Sequence, residues 1–429
     1  MKRKVVISGV ECITSLGKDI ETTWNALMDG VSGISKIDRI NNVEKYQCQF
    51  GGEIKEFNAK KSGLTGTNTM LRYNQYELFT IFKAITDYGW LSDLKEDTMN
   101  CPVFFGNQCI NLDEELFDTL IAISGENAHS LDFSKIGSNL QRFPPLDGVK
   151  LLPTLPTHFT AKKYNIHGSA NVSYAGESSS IEAILRAAIN IEMGYYEKAI
   201  VASTFSPFSA HEFLWLSDSN LAKKTSMDNN PNELICPFDR RHDGIIFGEG
   251  SGVILIESED NARKNGRTIL ANIKGGSTNI FPGDDFYKLT KYGFIKNIEA
   301  TLKDCSLRNT DIDIIYCSAP SYPEWDNAEI EAIDEMWGED SVQVTSSKAN
   351  IGFLSCAAGL IDCIFAVRSL NENKFAKTLN FEQMDTDLHI DCNKYLNANV
   401  NNIKRCLINS AGSGAHYSSI ILEKGCVEK

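Results

Sequence analysis

No run of about 18 apolar residues occurs anywhere in this sequence, so it offers no helix that would span a membrane. None of its twelve cysteines stands in a C-x-x-C pair. That argues against a zinc ribbon or a thioredoxin-like motif and predicts no metal site. Scattered, unpaired thiols suit a cytoplasmic protein whose cysteines are buried and reduced. A basic stripe is also missing. The 42 Lys and Arg against 56 Asp and Glu give a formal net charge of −14, and nucleic-acid binding is not expected of such a surface. Lys60-Lys61 and Lys162-Lys163 are short clusters on solvated faces. The opening Met1-Lys2-Arg3-Lys4 and its apolar continuation superficially resemble a secretion signal. Gly9, Glu11 and Gly17 interrupt the run, which reads better as a buried strand and turn.

What is present is ordinary for a globular chain, with 42% hydrophobic and 23% charged residues. At 429 residues the chain exceeds the roughly 250–300 at which one hydrophobic core stops growing, so two cores or a duplicated unit are expected. Val5–Gly9, Val103–Gly106, Asn171–Ala175 and Ala199–Ala202 read as strands. Ile20–Gly30, Asp113–Ile123 and Ser179–Met193 read as helices, the last closed by Gly194. Gly125–Asn139 is polar and reads as loop. The second half repeats the alternation: strands at Ile314–Tyr316 and Val342–Val344, helices at Asn327–Trp337 and Gly359–Leu370, then a hairpin-like pair at Leu407–Ser410 and Ser418–Leu422. This predicts an α/β layered architecture from two similar halves, 1–258 and 259–429, with the boundary near the polar stretch 259–266. No low-complexity linker separates them, so the halves should pack as one body.

The stretch "SYAGESSSIEA" (173–183) carries the chemical question. It places a residue at a strand-to-helix turn, where free backbone N–H groups and the helix dipole favour negative charge. A thiol there would ionise readily and could attack a thioester. This chain has Glu177, whose carboxylate can instead take the hydrogen bonds an oxyanion would take. Ser178, Ser179 and Ser180 are expected to cap the helix.

"CPFDRRHDGIIFGEGSGVILIES" (236–258) resembles the signature block of the β-ketoacyl synthases. "SSKANIGFLSCAAG" (346–359), "NSAGSGAHYSSIIL" (409–422) and the amino-terminal "VVISGVECITSLG" with "TWNALMDGVSGIS" (23–35) match further blocks in order. The resemblance spans essentially the whole chain. It implies a thiolase-like, layered α-β-α-β-α fold and an ancestry in Claisen condensation, which uses one cysteine and two histidines. Aligned on Gly194, the cysteine slot falls on Glu177. The first histidine slot falls on Ser318, in "IIYCSAPSYPEWDNAE" (314–329), and the second on Phe353. The family's lysine is retained as Lys348 and its acidic residue after "AAG" as Asp362. In the closing loop Ala411 and Ser413 replace two phenylalanines. No catalytic residue of the condensing chemistry is therefore expected.

Such a departure resembles the chain-length factors, the ketosynthase-like partner subunits of bacterial type II polyketide synthases. That resemblance implies a heterodimer with an active ketosynthase and a role in antibiotic or pigment biosynthesis, for example of anthraquinone-type aromatic polyketides. It also implies an acyl carrier protein that docks mainly on the partner and brings its own phosphopantetheine, so no resident cofactor. The tunnel wall should lie in residues 108–121, with Leu112, Leu116 and Phe117 as candidates, and residues 150–160 match the family's dimer-contact segment. A partner subunit in aryl polyene synthesis, or an unusual malonyl decarboxylase or acyltransferase using Glu177, are the alternatives.

Overall fold

The computed structural model describes residues 3–96, 101–107, 114–124, 132–139, 141, 150, 152, 154–283, 285–338, 342–384 and 402–425. Its first half contains β1 (Val5–Thr14), the short pair β2 (Ser35–Lys36) and β3 (Phe50–Gly51), β4 (Val103–Gly106), β5 (Ala170–Ser173), β6 (Lys198–Phe205) and β7 (Gly250–Ser258). The second half contains β8 (Ala271–Ile280), β9 (Ile314–Tyr316), β10 (Gln343–Thr345), β11 (Arg405–Gly412) and β12 (His416–Lys424).

Ten of these strands form one mixed sheet in the order β10-β9-β11-β12-β8-β1-β7-β6-β4-β5. The order conceals a duplication. From its outer edge inward, each half runs parallel, parallel, antiparallel, antiparallel: β5-β4-β6-β7-β1 in one and β10-β9-β11-β12-β8 in the other. The halves meet where Val5, Val6 and Ile7 pair antiparallel with Ile273, Asn272 and Ala271.

Side-chain alternation along the strands builds the layers. Val103, Phe105, Ile200, Ala202, Val253 and Leu255 pack with Ile81, Ala84 and Ile85 of the outer helix Arg72–Asp87. The intervening Phe104, Ala199, Val201, Ile254 and Ile256 face a central layer formed by helices Ser179–Glu192 and Ala358–Glu372. In the second half Ile315, Val344, Leu407 and Ile421 pack outward on helices Lys291–Asp304 and Pro323–Trp337. Ile314, Cys406, Ile408 and Ile420 face the same central layer. Strands covered on both faces are why they read as unbroken apolar runs rather than alternating ones.

The expected thiolase-like layering is therefore present, with local corrections. Phe133–Asn139 is a helix, not loop; residues 125–131 of that stretch lie outside the described residues. The helix expected from Asn327 starts at Pro323, because proline's fixed φ and missing N–H suit the first helical position. Among the described residues no helix is long and apolar enough to cross a membrane.

Candidate functional site at the Gly176–Ser178 turn

β5 runs into a 3₁₀ turn, Gly176–Ser178, and directly into helix Ser179–Glu192. Gly176 turns the chain at φ +57°, a left-handed conformation that costs glycine little. The duplication repeats the device. The 3₁₀ turn Ser355–Ala357 opens helix Ala358–Glu372, with Ser355 at φ +42°. The two turns pack against each other, and Cys356 occupies in the second half the position Glu177 holds in the first. The Cys356 thiol is fully buried and points to the carbonyl of Thr204 at 3.5 Å.

Glu177 is 6% exposed. Burial pushes its carboxyl up to about 7, while hydrogen bonding from its own N–H and from the N–H and hydroxyl of Ser413 opposes the shift. Oε2 has no hydrogen-bond partner. The end of β11 lies directly on this carboxyl: a methyl group added at Gly412 would overlap Oε2 and Cδ of Glu177. Gly412→Ala is accordingly expected to lower stability by about 1–3 kcal/mol in denaturant unfolding, the usual range for overpacking.

The serines following Glu177 do not cap the helix as expected. The Ser178 hydroxyl donates to the Ser410 carbonyl at 3.1 Å. The Ser179 hydroxyl accepts from Ala175 N–H at 2.8 Å and donates to Gly176 O. The Ser180 hydroxyl accepts from Leu360 N–H at 3.1 Å. Together with Ser410, whose hydroxyl donates to Glu177 O at 2.7 Å, they stitch the turn to β11 and to the second central helix. The turn's surroundings supply partners, so the hydroxyls are spent there rather than on the helix's own N–H groups.

The other two slots are close by in the fold. Ser318 follows β9, and its hydroxyl donates to Ala411 O at 3.1 Å and accepts from Ala411 N–H at 3.2 Å. Glu177 and Ser318 thus share the carboxyl end of β11. Phe353 stands two residues before the Ser355–Ala357 turn. Its ring is tilted against Phe247 at 6.4 Å and meets Trp325 edge-on at 6.2 Å, an apolar contact set. Lys348 and Asp362 form a buried ion pair. The ammonium also donates to Cys317 O at 2.6 Å, and the Ser347 hydroxyl donates to Asp362 Oδ1 at 2.7 Å. Burial raises the Asp362 carboxyl despite Lys348.

Sequence reasoning missed Glu329. It is fully buried, accepts from Ser318 N–H at 3.1 Å, Ala319 N–H at 3.0 Å and Asn409 Nδ2 at 2.9 Å, and burial pushes it up to about 7. A signal existed: Asp326 and Glu329 lie on the same helical stripe as Ile330, Ile333 and Trp337, where a solvated acid has no place. Asp326 receives Phe238 N–H at 3.0 Å, Ser321 N–H at 3.1 Å and His242 at 3.2 Å.

Of the tunnel candidates, Leu112 lies outside the described residues. Leu116 and Phe117 belong to helix Glu114–Ala122, which packs on helix Ala210–Ser217. Among the described residues no cluster of His, Cys, Asp and Glu is arranged to hold a metal ion.

Comparison with known proteins agrees with this geometry. The family model "Beta-ketoacyl synthase, N-terminal domain" matches residues 2–262, and "Beta-ketoacyl synthase, C-terminal domain" matches 271–382. A 3-oxoacyl-[acyl-carrier-protein] synthase 2 of Staphylococcus aureus is 27% identical over 98% of both chains. Among solved structures, an ishigamide ketosynthase/chain length factor superposes with a TM-score of 0.86 at 18% identity, over 99% of this chain and 100% of that one. A type II polyketide synthase ketosynthase, solved with its acyl-carrier protein and bound to the hexaketide, gives 0.84 at 19% identity over 99% and 100%.

Proposed function

The chain belongs to the β-ketoacyl synthase family, and we propose that within it this protein is a non-catalytic chain-length factor. It pairs with an active ketosynthase and shapes the tunnel in which an aromatic polyketide grows. One observation carries this reading: the turn to which the family resemblance assigns the condensing cysteine holds the buried carboxyl of Glu177. Without a thiolate there, no acyl-enzyme bond forms by the family's route. The two imidazole slots support the reading further. Phe353 offers no hydrogen-bond donor from its ring, and the Ser318 hydroxyl is committed to Ala411. A single positioned donor at a developing oxyanion is worth about 10²–10³ in rate, so losing both imidazoles leaves decarboxylation and enolate formation unsupported.

In this reading the Glu177 carboxyl takes up the N–H groups of residues 177 and 413 that would otherwise cradle a substrate oxygen. Lys348 and Asp362 hold the second-half turn in place without taking part in chemistry. Shape is then the chain's contribution, with Leu112, Leu116 and Phe117 forming the tunnel wall toward the partner. The formal charge of −14 favours docking of an acidic acyl carrier protein on the partner rather than on this surface. Phosphopantetheine arrives on that carrier, so this chain holds no cofactor of its own.

The test is co-expression with a candidate ketosynthase and its acyl carrier protein. The chain is expected to co-purify with the ketosynthase as a heterodimer. Incubated alone with acyl-loaded carrier protein, it should show no mass gain by intact-mass spectrometry. A stable acyl adduct on this chain alone would overturn the reading. So would its elution only as a solo dimer beside the ketosynthase. A conjugated polyene product, in place of a cyclised aromatic one, would reassign the pair to aryl polyene synthesis.

A further inference from the structure

The outer helix Arg72–Asp87 lays Ile81, Ala84 and Ile85 on the first half of the sheet. One turn before Ile81 the same stripe carries Glu77, which is fully buried. An amphipathic helix would have a leucine at such a position. Burial pushes the Glu77 carboxyl up to about 8, opposed only by a hydrogen bond from Asn107, so the group is neutral at pH 7. Its Oε2 has no hydrogen-bond partner, and neither has Nδ2 of Asn74, three residues earlier on the same face. Burying such atoms lowers stability, and packing alone gives no reason for an acid here.

Asn107 supplies one. It is the first residue after β4, it is buried, and it joins three elements. Its N–H donates to Ser173 O, at the end of β5, at 3.3 Å. Its side-chain Oδ1 accepts Thr204 N–H of β6 at 3.1 Å, and its Nδ2 donates to Glu77 Oε1 at 3.3 Å. The two ends of an amide are nearly alike in shape and differ in what they can bond. An acceptor on the helix side turns Nδ2 toward the helix and leaves Oδ1 for Thr204. Glu77 is that acceptor, so it directs the amide.

The strand ends joined in this way carry the Gly176–Ser178 turn. β5 ends at Ser173, three residues before the turn begins. Gly106, next to Asn107, lies against the turn's exit: a methyl group added there would meet Ser179 O and Ser180 Cα at 2.5 Å. The hydroxyl of Ser203, next to Thr204, faces Gly106 O and, at 3.2 Å, Cys356 O of the second-half turn. We propose that Glu77 is a positioning residue for the Gly176–Ser178 turn: by directing the Asn107 amide, it fixes the ends of β4, β5 and β6 relative to one another beneath that turn. The role belongs to this chain's own architecture and goes beyond the pairing proposed above.

The experiment compares the full parent chain with Glu77→Leu and Glu77→Gln at pH 7. Leucine is of similar size and accepts no hydrogen bond. Glutamine keeps the acceptor and, like the neutral acid, carries no charge. Denaturant unfolding should find Glu77→Leu at least as stable as the parent, because a buried polar group is removed. Native-state amide hydrogen exchange should still find the Asn107, Thr204 and Ser178 amides opening about two- to tenfold more in Glu77→Leu, the equivalent of one hydrogen bond. The Leu407 and Ile408 amides, paired within the other half of the sheet, should not follow, and Glu77→Gln should keep the parent pattern. Unchanged exchange at the three amides in Glu77→Leu overturns the proposal, as does equal loosening in Glu77→Gln. A loss of stability in Glu77→Leu that raises exchange at the reference amides to the same extent would make Glu77 a core residue only, and overturns it too. The chain alone suffices for these measurements, so their outcome is independent of any pairing with a ketosynthase.

Discussion

Glu177→Cys is expected to carry a single acyl group per molecule where the parent chain is expected to carry none. The reason is that the turn keeps the parts that surround a nucleophile. The N–H groups of residues 177 and 413 already converge on the side chain. The 14-residue helix Ser179–Glu192 begins two residues later, and its N-terminus favours a thiolate. A thiolate there would displace the thiol of an acyl thioester and leave a new thioester on residue 177. Its carbonyl oxygen would take the place of the present carboxyl oxygen. A short-chain acyl pantetheine thioester is the right probe, because it removes the need for carrier docking. Intact mass should show one acyl increment on Glu177→Cys and none on the parent chain. The same variant should still fail to extend a malonyl unit, since Phe353 and Ser318 provide no imidazole. A folded Glu177→Cys that remains unacylated would mean that the N–H groups no longer form a usable oxyanion site.

Lys348→Ala should carry a heavy stability cost, about 3–5 kcal/mol, because it strands Asp362 without its cation. Both side chains are 2% exposed. The ammonium also holds the Cys317 carbonyl at 2.6 Å, next to the Ser318 N–H that Glu329 accepts. The loss should therefore spread from the second central helix to the end of β9. Denaturant unfolding of the parent and the variant measures it. The paired replacement Lys348→Met with Asp362→Leu removes both charges and should recover most of the loss, as a hydrophobic pair of similar volume commonly does. If Lys348→Ala alone cost less than about 1 kcal/mol, the typical value for an exposed pair, the ion pair would not be holding the site together.

Both effects depend on a division between what a sequence records and what only packing decides. The alternation of strands and helices was legible where strands are covered on both faces and helices on a stripe. Burial of that kind leaves a local, periodic trace in residue type. β8, half-buried along most of its length, carries no such apolar run and was not legible as a strand. The family resemblance assigns Glu177 to its slot by spacing from Gly194, Ser318 through the stretch at 314–329, and Phe353, Lys348 and Asp362 through or just after the block at 346–359, each a local relation in the sequence. The partners of those residues were not legible. Ser178 bonds to Ser410 across 232 residues and Ser318 to Ala411 across 93, distances over which no periodicity carries information. A serine cluster at a helix start therefore looked like a set of caps. Only the approach of β11 and of the second central helix showed where its hydroxyls are used.

The duplicated strand order, the Glu177–Cys356 correspondence between the two turns, and the contact of Gly412 and Ser413 with the carboxyl likewise exist only in three dimensions. Residue order was enough to establish the family, the layered class and the identity of the residue at the turn. Packing decided that this residue is buried, that one of its oxygens lacks a hydrogen-bond partner, and that burial pushes its carboxyl up to about 7. Chain chemistry names the group, but its ionisation is set by how much water and how many N–H groups the rest of the fold leaves around it.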